Sequence, residues 1–247
     1  MCGKVSAGRQ HGRPPVTALP PRLVAVAGFV PPGERVADIG CGDGRLAAYL
    51  AVVRKCRVIA TEASLAGFGL ARQRLEPYAD RIEVRWGRGL APLRPGEVEV
   101  VIVAGMGGIT IADILETSPR GRHPRYFVLQ PMARTAYLRQ WLARAGWRLL
   151  DEELVEDRGR FYEIILTAPT GGKAGGEKAL LLAQGEVGPL LFARRHPLLL
   201  PFLRERLRRY RRLAAQLQGA PGPIREKVLA VLGELEELAA ALSINGE

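Results

Sequence analysis

The chain has 247 residues, room for one large domain and a smaller second one, and its 47% hydrophobic content is enough for a packed core. Its net charge of +11 and pI near 10.2 point to a polyanionic partner, nucleic acid before membrane, and no apolar run reaches membrane-spanning length. The three cysteines (Cys2, Cys41, Cys56) show no pairing pattern, and the three histidines (His11, His123, His196) are scattered. Both facts argue against disulfides and a metal site and for a reducing, cytoplasmic setting.

Residues 1–19 mix Gly, Pro, Arg and Lys and read as a flexible basic tail. Pro20 to Phe29 reads as a short helix, with Leu23, Val26 and Ala27 at helical spacing. Arg35 to Ile39 is a short apolar run carrying Asp38 near its end, followed by Gly40, Gly42 and Gly44 at alternate positions and a helix to about Arg54 with Leu46, Tyr49, Leu50 and Val53 on one face. Arg57 to Thr61 is a second strand closed by Glu62; Ser64 caps a helix to about Tyr78. Ile82 to Arg85 is a third strand before the turn Gly87-Arg-Gly89, and Glu99 to Val103 a fourth, opening into the loop Ala104-Gly-Met-Gly-Gly108. A helix over 109–116, a fifth strand over 126–129 ending in Gln130-Pro131-Met132, and an amphipathic helix over 135–145 with Leu138, Trp141 and Leu142 inward come next. Residues 147–154 and 160–167 form a closing strand pair. This alternation predicts an α/β fold: a doubly wound, largely parallel sheet ending in a hairpin. The domain boundaries are expected at 20–168, with a linker at 169–178 and a helical unit at 179–247. In that unit a helix over 197–217 carries Leu200, Leu203, Leu207, Tyr210 and Leu213 on one face and Arg204, Arg206, Arg208, Arg209, Arg211 and Arg212 on the other. A second helix over 224–242 bears glutamates, giving an antiparallel, coiled-coil-like hairpin with one basic and one acidic arm.

The glycines after the first strand read G-x-G-x-G, with Arg45 where a dinucleotide-binding turn would place its third glycine. This spacing suits a ligand without pyrophosphate, such as an adenosyl group bearing an amino acid. Glu62, about 20 residues on, is placed to accept the ribose hydroxyls; each feature alone also fits an ordinary turn cap. Residues 105–108 would sit beside the first strand, at the lip of that cleft, and offer little but backbone. Such a lip suits a target atom with a free lone pair, for which adenine N1 qualifies. N1 is hidden in a paired base, so the substrate nucleotide must be unpaired or extruded. Arg88, Arg134, Phe161 and Tyr162 are candidates to meet it.

The series ADIGCGDG (37–44), AGMGG (104–108), LQPM (129–132), LRQWLARAGW (138–147) and FYEIIL (161–166) resembles the bacterial tRNA adenine-N1 methyltransferases acting at position 22. The resemblance runs from about Leu19 to Leu242. It implies a Rossmann-like class I methyltransferase sheet, S-adenosyl-L-methionine as donor, tRNA as partner, and a helical C-terminal unit aiding RNA binding. Carried onto this chain, donor contacts are expected from Asp38, Gly40, Cys41, Gly42, Glu62, Ala63, Gly87, Arg88, Ala104 and Gly105. The transfer corner is expected from Gly105, Met106, Gly107 and Gln130, with Asp43 as a further catalytic candidate, and RNA contacts from Arg22, Arg134, Arg204, Arg208 and Arg211. No metal is implied, and a monomer is expected. Three places depart from the family's pattern: Gly42-Asp43 replaces Asp-His, Arg88 stands where an acid meets the cofactor's adenine, and Met132 replaces the asparagine of Gln-Pro-Asn. They keep open a scaffold that binds tRNA without chemistry, or action on another RNA base.

Overall fold

A computed structural model describes residues 18–117, 124–170, 183–219 and 222–243. The expected tail therefore lies outside it except for its last two residues, of which Leu19 is buried in the core; the expected linker lies outside it beyond Thr170. His11, His123 and Cys2 also lie outside.

One seven-stranded sheet organises the chain, in the order β3-β2-β1-β4-β5-β7-β6. β1 (Arg35–Ile39), β2 (Arg57–Glu62), β3 (Ile82–Trp86), β4 (Val100–Gly107) and β5 (Tyr126–Ala133) are parallel; β7 (Arg160–Pro169) runs antiparallel to β5 and to β6 (Trp147–Asp157). The parallel strands are valine- and isoleucine-rich because both faces are covered. Val36, Val58, Ala60 and Ile102 meet α1 (Pro21–Gly28), α2 (Arg45–Val52) and α3 (Leu65–Leu75). Ala37, Ile39, Ile59 and Val101 meet α4 (Gly108–Glu116) and α5 (Thr135–Arg144) on the other side. Strand alternation then puts Asp38, which follows Val36, and Glu62, which follows Ala60, on the same face. The chain reverses its direction of travel between β1 and β4, so the loops at their C-terminal ends open a crevice.

Local chemistry sets the ends. Proline occupies the first turn of α1, where its missing N–H costs nothing. The Ser64 hydroxyl accepts from the Gly67 N–H at 3.0 Å and starts α3.

Several expectations change. The stretch 104–107 is not a loop: β4 continues through Gly107, bulged, pairing Met106 with Pro131 and Gly107 with Ala133. Gln130-Pro131-Met132 is likewise strand. Val53 is half exposed because α2 ends before it, Trp141 is only partly buried, and Leu213 is exposed near the end of its helix.

Sequence reasoning passed over Arg139, which is buried. Its side chain is fully buried. It donates to Glu152 at 2.8 Å and to the Gly185 carbonyl at 3.0 Å, and lies 2.7 Å from Glu163. Glu163 in turn takes Arg206 of α7 (Leu199–Gln216) at 3.0 Å, so Arg206 faces inward, not outward. Burial alone would raise the Glu163 carboxyl's pKa; the charges of Arg139 and Arg206 outweigh it and hold the group below its usual value. Glu152 also accepts from the Leu190 N–H at 2.9 Å, fixing α6 (Pro189–Ala193). Around this charge cluster α7 and α8 (Pro223–Ser243) pack on β6 and β7: Leu154 shares a core with Leu191, Phe202, Leu203, Val231 and Leu235. Of the ion pairs found among the described residues, Arg211 with Glu236 is the one that joins the basic arm to the acidic arm.

Replacing Arg139 by Ala strands two buried carboxylates. The expected loss is about 3–5 kcal/mol of stability, read from urea unfolding; a loss below ~1 kcal/mol would show that the cluster is not what docks the hairpin.

Candidate functional site

The turn after β1 needs its glycines. Gly40, Gly42 and Gly44 have φ of 67°, 54° and 75°, the left-handed region that side chains avoid. A Cβ on Gly40 would overlap the Met106 methyl, so the bulged end of β4 rests directly on this turn. Gly44 leads α2 with no side-chain cap.

Glu62 ties the second strand end to the first. Its carboxylate accepts from the Gly42 N–H at 3.3 Å and from the N–H groups of its own turn, Ala63 at 3.0 Å and Ser64 at 3.2 Å. Its carbonyl accepts from the Gly87 N–H at 2.9 Å, which brings the turn after β3 to the same edge. That turn is braced from below: Arg85 donates to Glu97 at 2.6 Å and to the Pro92 carbonyl at 2.9 Å. The Glu97 carboxyl is held down to about 2 by its hydrogen bond to Arg85.

Asp38 lies beneath, 3% exposed, and its Oδ2 has no hydrogen-bond partner. Burial lifts its carboxyl to about 7, and the charges of Asp43 and Glu62 add to the shift. An orphaned, buried carboxylate oxygen facing two further acids is a place for a cation. The Cys41 thiol, pushed up to about 12 by burial and by Asp38 and Glu62, stays protonated and is no nucleophile.

The structure brings together Asp38, Gly40, Cys41, Gly42, Glu62, Ala63, Gly87, Ala104, Gly105 and Met106 at one edge, with Gly107 beside them. Gly105 (φ 79°) and Arg88 are exposed there. Other candidates are occupied. Asp43 gives one oxygen to the Arg45 side chain at 2.6 Å and the other to the Arg45 N–H at 3.2 Å, so it braces the start of α2. Gln130 is fully buried; its oxygen accepts from Arg22 at 2.9 Å and its amide donates to the Pro131 carbonyl at 3.0 Å. Arg22 thereby sits by the end of β5, 5.8 Å from the Tyr162 ring centre. Arg134 is exposed at the start of α5, whereas Arg204, Arg208 and Arg211 lie along α7. Sequence reasoning passed over Trp86, more than half exposed, whose indole donates to the Ala63 carbonyl at 2.9 Å. A tryptophan ending a strand just before a glycine turn was the available signal.

Among the described residues no group of three or more His, Cys, Asp or Glu could hold a metal ion, and no helix is long and apolar enough to cross a membrane. The geometry fits a nucleoside with a cationic tail: Glu62 Oε2, which among the described residues accepts from Gly42 alone, keeps a lone pair for a ribose hydroxyl, Gly40 and Gly42 permit close backbone approach, and Asp38 offers the unpaired oxygen.

Known proteins agree. A family profile for a methyltransferase domain matches residues 19–165. The tRNA (adenine(22)-N(1))-methyltransferase of Bacillus subtilis is 34% identical over 175 residues, 69% of this chain and 73% of that protein. The crystal structure of the B. subtilis M1A22 tRNA methyltransferase TrmK superposes with a TM-score of 0.73 at 29% identity, covering 92% of this chain and 98% of that one. A Streptococcus pneumoniae structure solved in complex with S-adenosyl-L-methionine gives a TM-score of 0.70 at 27% identity over 88% and 98% of the two chains.

Two outcomes test the site. Gly40→Ala combines a strained φ with displacement of Met106, and donor affinity measured calorimetrically should fall about tenfold, or ~1.4 kcal/mol, with the fold retained. The raised Asp38 pKa means that the folded protein holds a proton which the unfolded chain has lost. Asp38 therefore stabilises the donor-free protein in full below pH about 4, and this contribution is lost as pH rises through about 7, at ~1.4 kcal/mol per unit. Urea unfolding across that window should be flatter for Asp38→Asn; identical slopes would refute the assignment.

Proposed function

Since this chain belongs to the methyltransferase family whose B. subtilis member is a tRNA (adenine(22)-N(1))-methyltransferase, we propose that it methylates N1 of an adenine in tRNA, at position 22, with S-adenosyl-L-methionine as donor. The observation that carries the reading is the joined edge of β1 and β2, with the Glu62 carboxylate on the Gly42 N–H and the Met106 corner against Gly40.

Asp38, Gly40, Cys41 and Gly42 would hold the methionine part of the donor, Glu62 and Ala63 the ribose, and Gly87 with Arg88 the adenine side, with Ala104 and Gly105 closing the pocket. The donor supplies an electrophilic methyl on a sulfonium. Adenine N1 carries its lone pair at neutral pH, so no residue has to remove a proton beforehand. The chain's work is alignment and water exclusion. Gly105, Met106 and Gly107 would shape the place where base and methyl meet, with room because two of the three lack side chains. Gln130 supports this corner through Arg22 and Pro131, and Asp43 supports it by bracing α2. We assign no general base.

The high net charge supports a tRNA partner. Every proposed contact comes from one chain, so a monomer suffices, and a tRNA substrate fits a cytoplasmic setting.

Incubating unmodified tRNA with protein and donor, followed by nucleoside mass spectrometry, should yield 1-methyladenosine at stoichiometric levels in tRNA carrying adenine 22. Absence of the product with donor bound overturns the activity.

A further inference from the structure

A cavity of about 870 Å³ lies between the sheet and the helical hairpin, away from the glycine turn. Arg134, Tyr137, Arg160 and Tyr162 form part of its wall on the sheet side, and Arg209 and Lys227 part of its wall on the hairpin side. Its charge is set by the buried cluster described above. Glu163 is paired with Arg139 and Arg206, and Glu186 with Arg206 and Arg209. Among the described residues this leaves Arg134, Arg160 and Lys227 facing Glu205, a basic excess.

One end of the cavity adjoins the transfer corner through strand pairing. Met106 pairs with Pro131, and Pro131 to Arg134 run on into the cavity wall. Arg134 has φ 59°, a conformation costly for a side-chain-bearing residue. It is held there because its carbonyl packs on Gly108, where any Cβ would overlap it. The corner that ends β4 therefore also sets where Arg134 stands. The arginine stripe Arg204, Arg208 and Arg211, expected to bind RNA, takes no part in the cavity wall, and Arg211 is paired with Glu236.

We propose that this cleft, and not the outer arginine stripe of α7, seats the unpaired RNA strand next to the target adenine. Arg134 and Arg160 hold phosphates and the exposed ring of Tyr137 stacks on a neighbouring base. Cations beside aromatic faces in a groove are what a single strand needs. The inference rests on the enzyme reading above, so it is tested on wild-type protein already shown to form 1-methyladenosine.

Three variants are compared with that protein: Arg134→Ala with Arg160→Ala, Tyr137→Ala, and Arg204→Ala with Arg208→Ala. The cleft pair should raise KM for tRNA about tenfold or more and lower the slope of log K against log salt by about 2, one per lost phosphate contact. Tyr137→Ala should cost about fivefold in tRNA affinity and Tyr137→Phe almost nothing, because only the ring stacks. Donor affinity should stay at the wild-type value in each. The overturning result is the reverse: cleft variants within twofold of wild type, with the loss in affinity and salt slope falling on Arg204 and Arg208. Because wild type remains active in that case, the enzyme reading survives it.

Discussion

The bond between the Glu62 carboxylate and the Gly42 N–H decides what the edge of the sheet can do. The Cys41 N–H already bonds the Thr61 carbonyl at 2.9 Å, so the two strand ends lie side by side before it is added. With it they form one surface, because the same carboxylate also gathers the N–H groups of Ala63 and Ser64. The bond is possible only because Gly42 takes a left-handed φ and turns its N–H sideways. Asp38 is then sealed underneath, and the cost of burying an acid there is carried as a raised pKa. A pocket that disfavours its own charge suits a cationic ligand, whose charge would favour the ionised Asp38 carboxylate.

A second constraint acts across the sheet. Arg139, Glu152, Glu163 and Arg206 tie α5, β6, β7 and α7 into one charge cluster. Buried ion pairs are poor sources of stability, since desolvation offsets much of their attraction. Their value is directional: a guanidinium satisfied by two carboxylates and a carbonyl admits few arrangements. An apolar interface between hairpin and sheet would permit sliding; this one fixes the angle at which α7 meets β7, and with it the width of the cleft.

Much of this was legible in the sequence. The alternation of strands and helices, the glycine turn, Glu62 and the Ser64 cap follow from local rules that involve neighbours in the chain. The parts that were not legible depend on partners far away. Helical periodicity places Arg139 and Arg206 among surface arginines, because the glutamates that draw them inward sit on other elements. The stretch 104–107 reads as a loop from its glycines, yet pairing with β5 makes it a bulged strand. Gln130 reads as a free polar group at a strand end, and only the fold supplies Arg22, 108 positions earlier, to occupy it.

The departures from the family's pattern fall at positions with unlike surroundings. Asp43 accepts from Arg45 and lies 3.9 Å from Arg74 of α3, so a change there alters the start of α2. Met132 is nearly half exposed at the end of β5, where its sulfur lies 3.6 Å from the Gln130 amide. Arg88 is exposed at the rim and contributes no bond on which the pocket depends among the described residues. Gly42, itself one of the departures, differs from these: its left-handed φ and its N–H on the Glu62 carboxylate place it in the frame of the turn, beside Gly40 and the buried Asp38.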